Sequence, residues 1–188
     1  MNAGGTRERI LRTALDLFAS RGYSATSVAD IAAGADLLKG NLSYHFRTKA
    51  DVLEAVTELR TEELFAQLNR RLRPDMGPIE RIHAFLDGFC DSAAPLARHG
   101  CPVGSLCSEL GRAQPELRPY ASRILLSLAQ WLEQQFAQVA PAGEARDRAE
   151  HLLALCQGAA VLAHAYADPA VVTRQAASAR AWLETLGR

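Results

Sequence analysis

The chain is poor in the residues that build sheets: aromatics make up 6% of its 188 residues, and Val, Ile and Thr are sparse beside 34 alanines. That bias disfavours an all-β domain and favours helix. An excess of one charge is lacking too. With 21 basic side chains against 21 acidic ones, no field over the whole chain advertises nucleic acid or an acidic substrate, so any basic face must be local. Lysine is nearly absent: Lys39 and Lys49 stand close together, and the other 19 basic residues are arginines. The four cysteines, Cys90, Cys101, Cys107 and Cys156, form no C-x-x-C pair, and no histidine pairs with a cysteine or carboxylate at ligand spacing, so neither metal nor cofactor is expected. A nucleophile with its base and an orienting third group is missing as well. His99 with Cys101, or Cys107 with Glu109, has no such partner in the pattern, and the chain is not expected to be an enzyme. The longest near-apolar stretch, Gly158 to Ala167, contains His164 and is too short to span a bilayer, while Met1 to Arg9 is polar without the apolar core of a signal peptide. A cytoplasmic protein without membrane contact is the expectation, and there structural disulfides are disfavoured.

What the sequence does have is helical periodicity. Ile10, Leu11, Ala14, Leu15 and Phe18 form an i, i+4, i+8 stripe that Gly22 ends. Ser27-Val28-Ala29-Asp30 reads as a capping box, in which the serine oxygen takes the Asp30 amide and the aspartate reaches back, opening a short helix over Ile31-Ala32-Ala33. After a break at Gly34-Ala35-Asp36 another short helix is expected from about Leu38 to Tyr44. Thr48-Lys49-Ala50-Asp51 is a second capping box, and Val52, Leu53, Val56, Leu59 and Leu68 carry a long helix toward Pro74. Three helices within about 46 residues, the last two joined by a turn of a few residues, give helix-turn-helix spacing.

Beyond Pro74, Ile79, Ile82, Phe85, Leu86, Phe89 and Cys90 mark a stripe, Ala94 to Gly104 reads as a loop, and Leu106, Cys107 and Leu110 suggest a short helix. Longer helices follow over Tyr120 to Val139, about 145–166 and 172–186. The expected fold is all-α with about nine helices. An N-terminal three-helix helix-turn-helix DNA-binding domain covers 1–50, a helix at about 48–73 connects, and a helical effector-binding and dimerisation domain covers 74–188.

Residues 1–50 hold seven basic side chains against four acidic ones, a local surplus of positive charge. The helix Lys39-Gly40-Asn41-Leu42-Ser43-Tyr44-His45 is small, polar and hydroxyl-bearing, with Leu42 and Phe46 left to hold it down. Asn and Ser can bond base edges, and Lys, Tyr and His can reach bases or phosphates in a major groove. Lys49 opens the next helix, where unpaired amides already favour a phosphate.

These residues resemble a known family. Gly22-Tyr23, Thr26 to Ala32, Lys39 to Leu42, Tyr44-His45-Phe46 and Lys49 with Val52-Leu53 look like the DNA-binding domain of TetR-family transcriptional regulators, over about residues 7–60. The resemblance implies a homodimeric repressor of a double-stranded DNA operator, released when a small molecule binds the C-terminal domain. Carried over by position, Lys39, Gly40, Asn41, Ser43, Tyr44 and His45 fall on the recognition helix, and Ser27 and Lys49 on phosphate contacts. Two departures stand out: Asp36 takes the place of the family's turn glycine, and Leu38 that of its capping serine, which leaves Asp36 as the expected cap.

The resemblance also makes the last two helices a dimer interface, for which Leu155, Ala159, Leu162, Ala176, Ala179 and Leu183 are the candidates, the alternative being that they complete the core of a single chain. Effector-pocket candidates are Phe85, Phe89, Cys90, Leu106, Cys107, Leu110, Leu128 and His164, an apolar set suited to an apolar compound. Cys101 sits between Gly100 and Pro102 rather than in a stripe, with Arg98 and His99 nearby, so sensing of electrophiles or oxidants through its thiolate is an alternative trigger. A helical interaction protein without DNA binding is the remaining alternative, and it leaves the recognition-helix pattern an accident.

Overall fold

The computed structural model describes residues 3–186, the side chains of residues 3, 4 and 39 excepted. Ten α-helices follow one another: α1 Ala3–Arg21, α2 Val28–Gly34, α3 Lys39–His45, α4 Lys49–Asn69, α5 Pro78–Asp91, α6 Ala93–His99, α7 Pro102–Ala113, α8 Arg118–Phe136, α9 Ala145–Tyr166 and α10 Ala170–Leu186. A 3-10 turn at Pro115–Leu117 precedes α8, and no strand occurs among the described residues. The all-α expectation holds. The tenth helix is α6, which the sequence hid behind Pro95 and Gly100. Its buried face is Ala93, Leu96 and Ala97, and Gly100 ends it at φ +73°. A Cβ at Gly100 would lie in ordinary contact with the His164 ring, 3.4 Å away, so it is the left-handed backbone that favours glycine there.

Two compact units result, and they do not follow the expected cut between 50 and 74. The first takes in the chain to Glu63 and returns for Pro102–Ile124; the second holds Leu64–Cys101 and Leu125–Arg188. The first unit closes on Ile10, Ala14, Ile31, Leu42, Val52 and Leu53, with Leu110, Leu117 and Ala121 of the returning segment buried in the same core. An apolar stripe on α7, the 3-10 turn and the start of α8 thus completes the core that α1 and the two seven-residue helices α2 and α3 share with the start of α4.

Both expected capping boxes form. Ser27 Oγ accepts the Asp30 amide at 3.1 Å while Asp30 accepts the Ser27 amide at 2.7 Å. Thr48 Oγ1 accepts the Asp51 amide at 3.1 Å and Asp51 returns the bond at 3.0 Å. The helix-turn-helix turn passes through Asp36 at φ +53°, a left-handed residue where the family resemblance placed a glycine. Asp36 does not serve as the cap of α3, whose N-cap Leu38 makes no side-chain bond.

The second unit packs α9 against α6 and α10, with Leu132, Phe136, Leu152, Cys156, Ala179 and Leu183 in one cluster. Ala160, Ala163, Val171 and Val172 meet Ala93, Leu96 and Ala97 in another. Here the expected dimer residues need correcting. Ala159, Ala176, Ala179 and Leu183 are at most 2% exposed in a single chain, so they hold one protomer together and have no surface to offer a second. Leu155 is half-buried against the same core, and of the six only Leu162 is exposed, beside Val161 and Tyr166 of α9.

Candidate nucleic-acid interface

The seven-residue α3 is too short to be stable alone and is pinned from below. Leu42 is fully buried, Phe46 is 6% exposed, and the Arg7 guanidinium lies 5.4 Å from the Phe46 ring centre. With that face fixed, Gly40, Asn41, Ser43 and Tyr44 are exposed. Tyr44 is 88% exposed and meets the half-buried His45 ring edge to face, 5.5 Å between centres. Leu38 stands 77% exposed just before the helix. Lys39 opens α3, but its side chain lies outside the described part of the structure. The structure therefore brings Gly40, Asn41, Ser43, Tyr44 and His45 onto one short helix; side chains of these types can bond base edges and phosphates.

Ser27 and Lys49 stand differently from their expected role. Ser27 Oγ is held in the α2 capping box, donating to Asp30 at 2.6 Å, a bond that keeps the Asp30 carboxyl below its usual range. Lys49 does not reach outward. Its Nζ donates to the carbonyls of Tyr23 and Thr26, both at 2.9 Å, and lies 4.1 Å from the Tyr23 ring centre. Burial lowers the Lys49 pKa, and the nearby Glu109 carboxylate partly offsets that. The ammonium thus ties the turn between α1 and α2 onto α4. The ammonium is already taken by the Tyr23 and Thr26 carbonyls, which a phosphate would have to displace.

Glu109 of α7 completes this clamp, and no local sequence pattern marks it. Its two carboxylate oxygens accept the amides of Tyr23, at 2.9 Å, and Ser24, at 2.6 Å. Burial alone would raise its pKa, but the Ser24 and Tyr23 bonds and the Lys49 charge outweigh it and hold the carboxyl low. Gly22 explains how the carboxylate comes so close: its φ is +86°, and a Cβ there would sit 2.8 Å from Glu109 Oε2. A glycine that reads as a mere helix stop is also the opening for an acid 87 positions later. Of the Cys107 and Glu109 pair considered for chemistry, Cys107 donates its Sγ proton to Ala121 O at 3.3 Å, while Glu109 takes the two turn amides.

The effector candidates are divided between the two units. Leu106, Cys107 and Leu110 pack in the core of the first unit, Phe85 and Phe89 against cores of the second. Leu128 is buried, Cys90 half-buried, and His164 exposed with Nδ1 3.2 Å from Ala97 O. A cleft of about 40 Å³ does open in the first unit, walled by Leu15, Phe18, Val56, Val103, Leu106 and Ile124, with Thr57 and Arg60 as its polar members. Leu106 is the expected pocket residue that lines it. Cys101 is half-buried and packs against the Ala-rich cluster of the second unit. Cys156 is buried, which pushes its thiol up to about 12, with a smaller contribution from Cys90. Among the described residues no group of His, Cys, Asp and Glu gathers as a metal site, and no helix is long and apolar enough to cross a membrane.

Comparison with known proteins places this geometry. Residues 10–56 match the family described as bacterial regulatory proteins, tetR family, and residues 78–179 match the tetracyclin repressor-like C-terminal domain. An HTH-type transcriptional regulator from the lacX 3' region of Lactococcus lactis subsp. lactis is 31% identical over 119 residues, 62% of this chain and 61% of that protein. The HTH-type transcriptional repressor KstR2 of Mycolicibacterium smegmatis is 36% identical over 76 residues, 40% of this chain and 37% of its own. The regulator LmrA of Bacillus subtilis is 33% identical over 121 residues, 63% of this chain and 64% of its own. In each case the chain spans less than two thirds of the relative's length. Among solved structures, a TetR transcriptional regulator from Chloroflexus aurantiacus superposes with a TM-score of 0.82 at 24% identity, covering 96% of this chain and 95% of that one. A TetR-family regulator from Streptomyces coelicolor gives 0.83 at 18% identity, covering 98% and 97%.

Proposed function

Because this chain belongs to the TetR family of bacterial regulatory proteins, we propose that it is a homodimeric transcriptional repressor that reads a palindromic DNA operator through α3 and is released by a small, largely apolar effector. The observation that carries this reading is α3 itself: Asn41, Ser43 and Tyr44 are exposed on a helix whose opposite side is anchored by the fully buried Leu42. A helical interaction protein would have no use for that arrangement.

The dimer is expected to form on the exposed face of α9. Val161 is 65%, Leu162 40% and Tyr166 66% exposed, and i, i+1 and i+5 positions with Gly158 beside them make an apolar strip that a second copy can cover. A two-fold dimer presents two α3 helices to two half-sites, which is why the operator is expected to be an inverted repeat. The trigger through Cys101 keeps one supporting observation, its half-buried position at the turn between α6 and α7.

Selection from a randomised duplex library tests the reading. Recovery of an inverted repeat, bound by two chains per duplex with affinity falling steeply in salt, supports it. Recovery of no preferred sequence overturns it.

A further inference from the structure

The cleft in the first unit has apolar walls from three helices, Phe18 of α1, Val56 of α4, and Val103 and Leu106 of α7. Its two polar members differ in what they can still do. Thr57 is 1% exposed and donates its hydroxyl proton to Glu54 O at 2.8 Å, so it offers no donor to a guest. Arg60 pairs loosely with Glu63, 3.6 Å from Oε2 and beyond hydrogen-bond distance, while Glu63 Oε1 takes a bond from Arg12, so a guest carboxylate would compete with Glu63 for the guanidinium. A guanidinium about a third exposed beside an apolar cleft complements a molecule with one apolar end and one carboxylate, which it can grip through two parallel N–H bonds.

The size of the cleft says what such a guest would do. At about 40 Å³ it has room for about three water-sized groups, so a longer apolar chain must part α7 from α1 to enter. Leu106, in the wall, and Glu109, on the turn before α2, are three positions apart on α7 and so neighbours on its surface. We propose that this cleft is a binding site for a short aliphatic monocarboxylate, its chain between α1 and α7 and its carboxylate on Arg60, and that entry loosens the grip of Glu109 on the Tyr23 and Ser24 amides. The site itself stands independently of the regulatory reading; the effect on DNA rests on it.

The test uses the full chain and the sodium salts of butyrate, hexanoate and octanoate, each paired with its primary amide, titrated by calorimetry without DNA. Hexanoate is expected to bind once per chain and at least tenfold more tightly than hexanamide. Arg60→Gln removes that preference. Ala19→Phe, on an exposed wall position, fills the mouth and abolishes binding while circular dichroism stays that of the parent. Absence of saturable binding, equal affinity for acid and amide, or unchanged hexanoate affinity in both variants overturns the site. In a parallel titration on the selected duplex, hexanoate at saturation is expected to weaken DNA binding at least tenfold. Binding of hexanoate without that loss overturns the coupling through Glu109, and a protein that binds hexanoate but no duplex at all overturns the regulatory reading while leaving the site standing.

Discussion

The two units are held together by different means. In the first, two charged groups are directed at the backbone, Glu109 taking two amides of the turn after α1 and Lys49 giving to two carbonyls of the same turn, while Arg123 of α8 pairs with the Glu58 and Glu54 carboxylates of α4 at 2.7 and 3.3 Å. In the second, α9 meets its neighbours through Ala159, Ala160 and Ala163, and ion pairs such as Arg146 with Glu150 on α9 and Arg174 of α10 with Asp168 lie at the surface. Apolar burial is indifferent to direction, whereas hydrogen bonds to named backbone atoms fix a turn in one geometry. A head that must hold a seven-residue α3 at a set angle needs the second kind of restraint. A unit that must close around small residues needs the first.

The contrast can be broken most severely in the second unit. Ala179→Asp buries a carboxylate with no partner at a fully buried position and is expected to cost several kcal/mol, lowering the melting temperature sharply. Leu162→Asp, on the exposed face of α9, is expected to halve the mass seen by light scattering while keeping the helical signal of the protomer. Equal damage from both would mean that the division of α9 into an inner and an outer face is wrong.

The restraint in the first unit predicts a smaller, directional loss. Glu109→Gln leaves one of the two turn amides without an acceptor, which is expected to cost about 1–3 kcal/mol in a thermal or urea melt. The acid limb sharpens this. Glu109 has a lower pKa folded than unfolded, so its contribution is present above the usual carboxylate range and is lost as pH falls through the folded value. The Gln variant is therefore expected to lose stability less steeply below about pH 4, near the carboxylate reference values.

The smallest effect concerns the thiols. With its pKa pushed up to about 12 inside the second unit, Cys156 is expected to alkylate far more slowly at neutral pH than the half-buried Cys101, as read by mass-spectrometric labelling rates. Similar rates for the two would show that the α9 core opens more readily than its packing implies.

What could be read from the sequence follows the same division. Local signals carried the first four helices and both capping boxes, because each depends on residues within a few positions, whereas Asp36 was placed at the turn by the family resemblance. The exposed set on α3 was legible for that reason. Lys49 was misread because its partners, Tyr23 and Thr26, lie more than 20 positions away, and nothing local says whether a helix-start ammonium turns outward or inward. Glu109 was not legible as a clamp at all, since its role exists only once α7 returns to the head. On α9 and α10 the alanine stripes were expected between two chains and are buried within one, because a periodic pattern does not tell an interface within one chain from one between two.

The central claim, that the outward groups of α3 read sequence while the clamp behind them only holds it, is tested most directly by fluorescence anisotropy on the selected duplex and its single-base variants. Asn41→Ala and Ser43→Ala are each expected to cost about 1–3 kcal/mol against the preferred sequence and to change which base variants are tolerated, with melting unaltered. Glu109→Gln is expected to weaken all the duplexes alike. If Asn41→Ala and Ser43→Ala also weaken every duplex equally, or if the parent protein binds random duplex as tightly as the selected one, α3 does not read bases and the account fails.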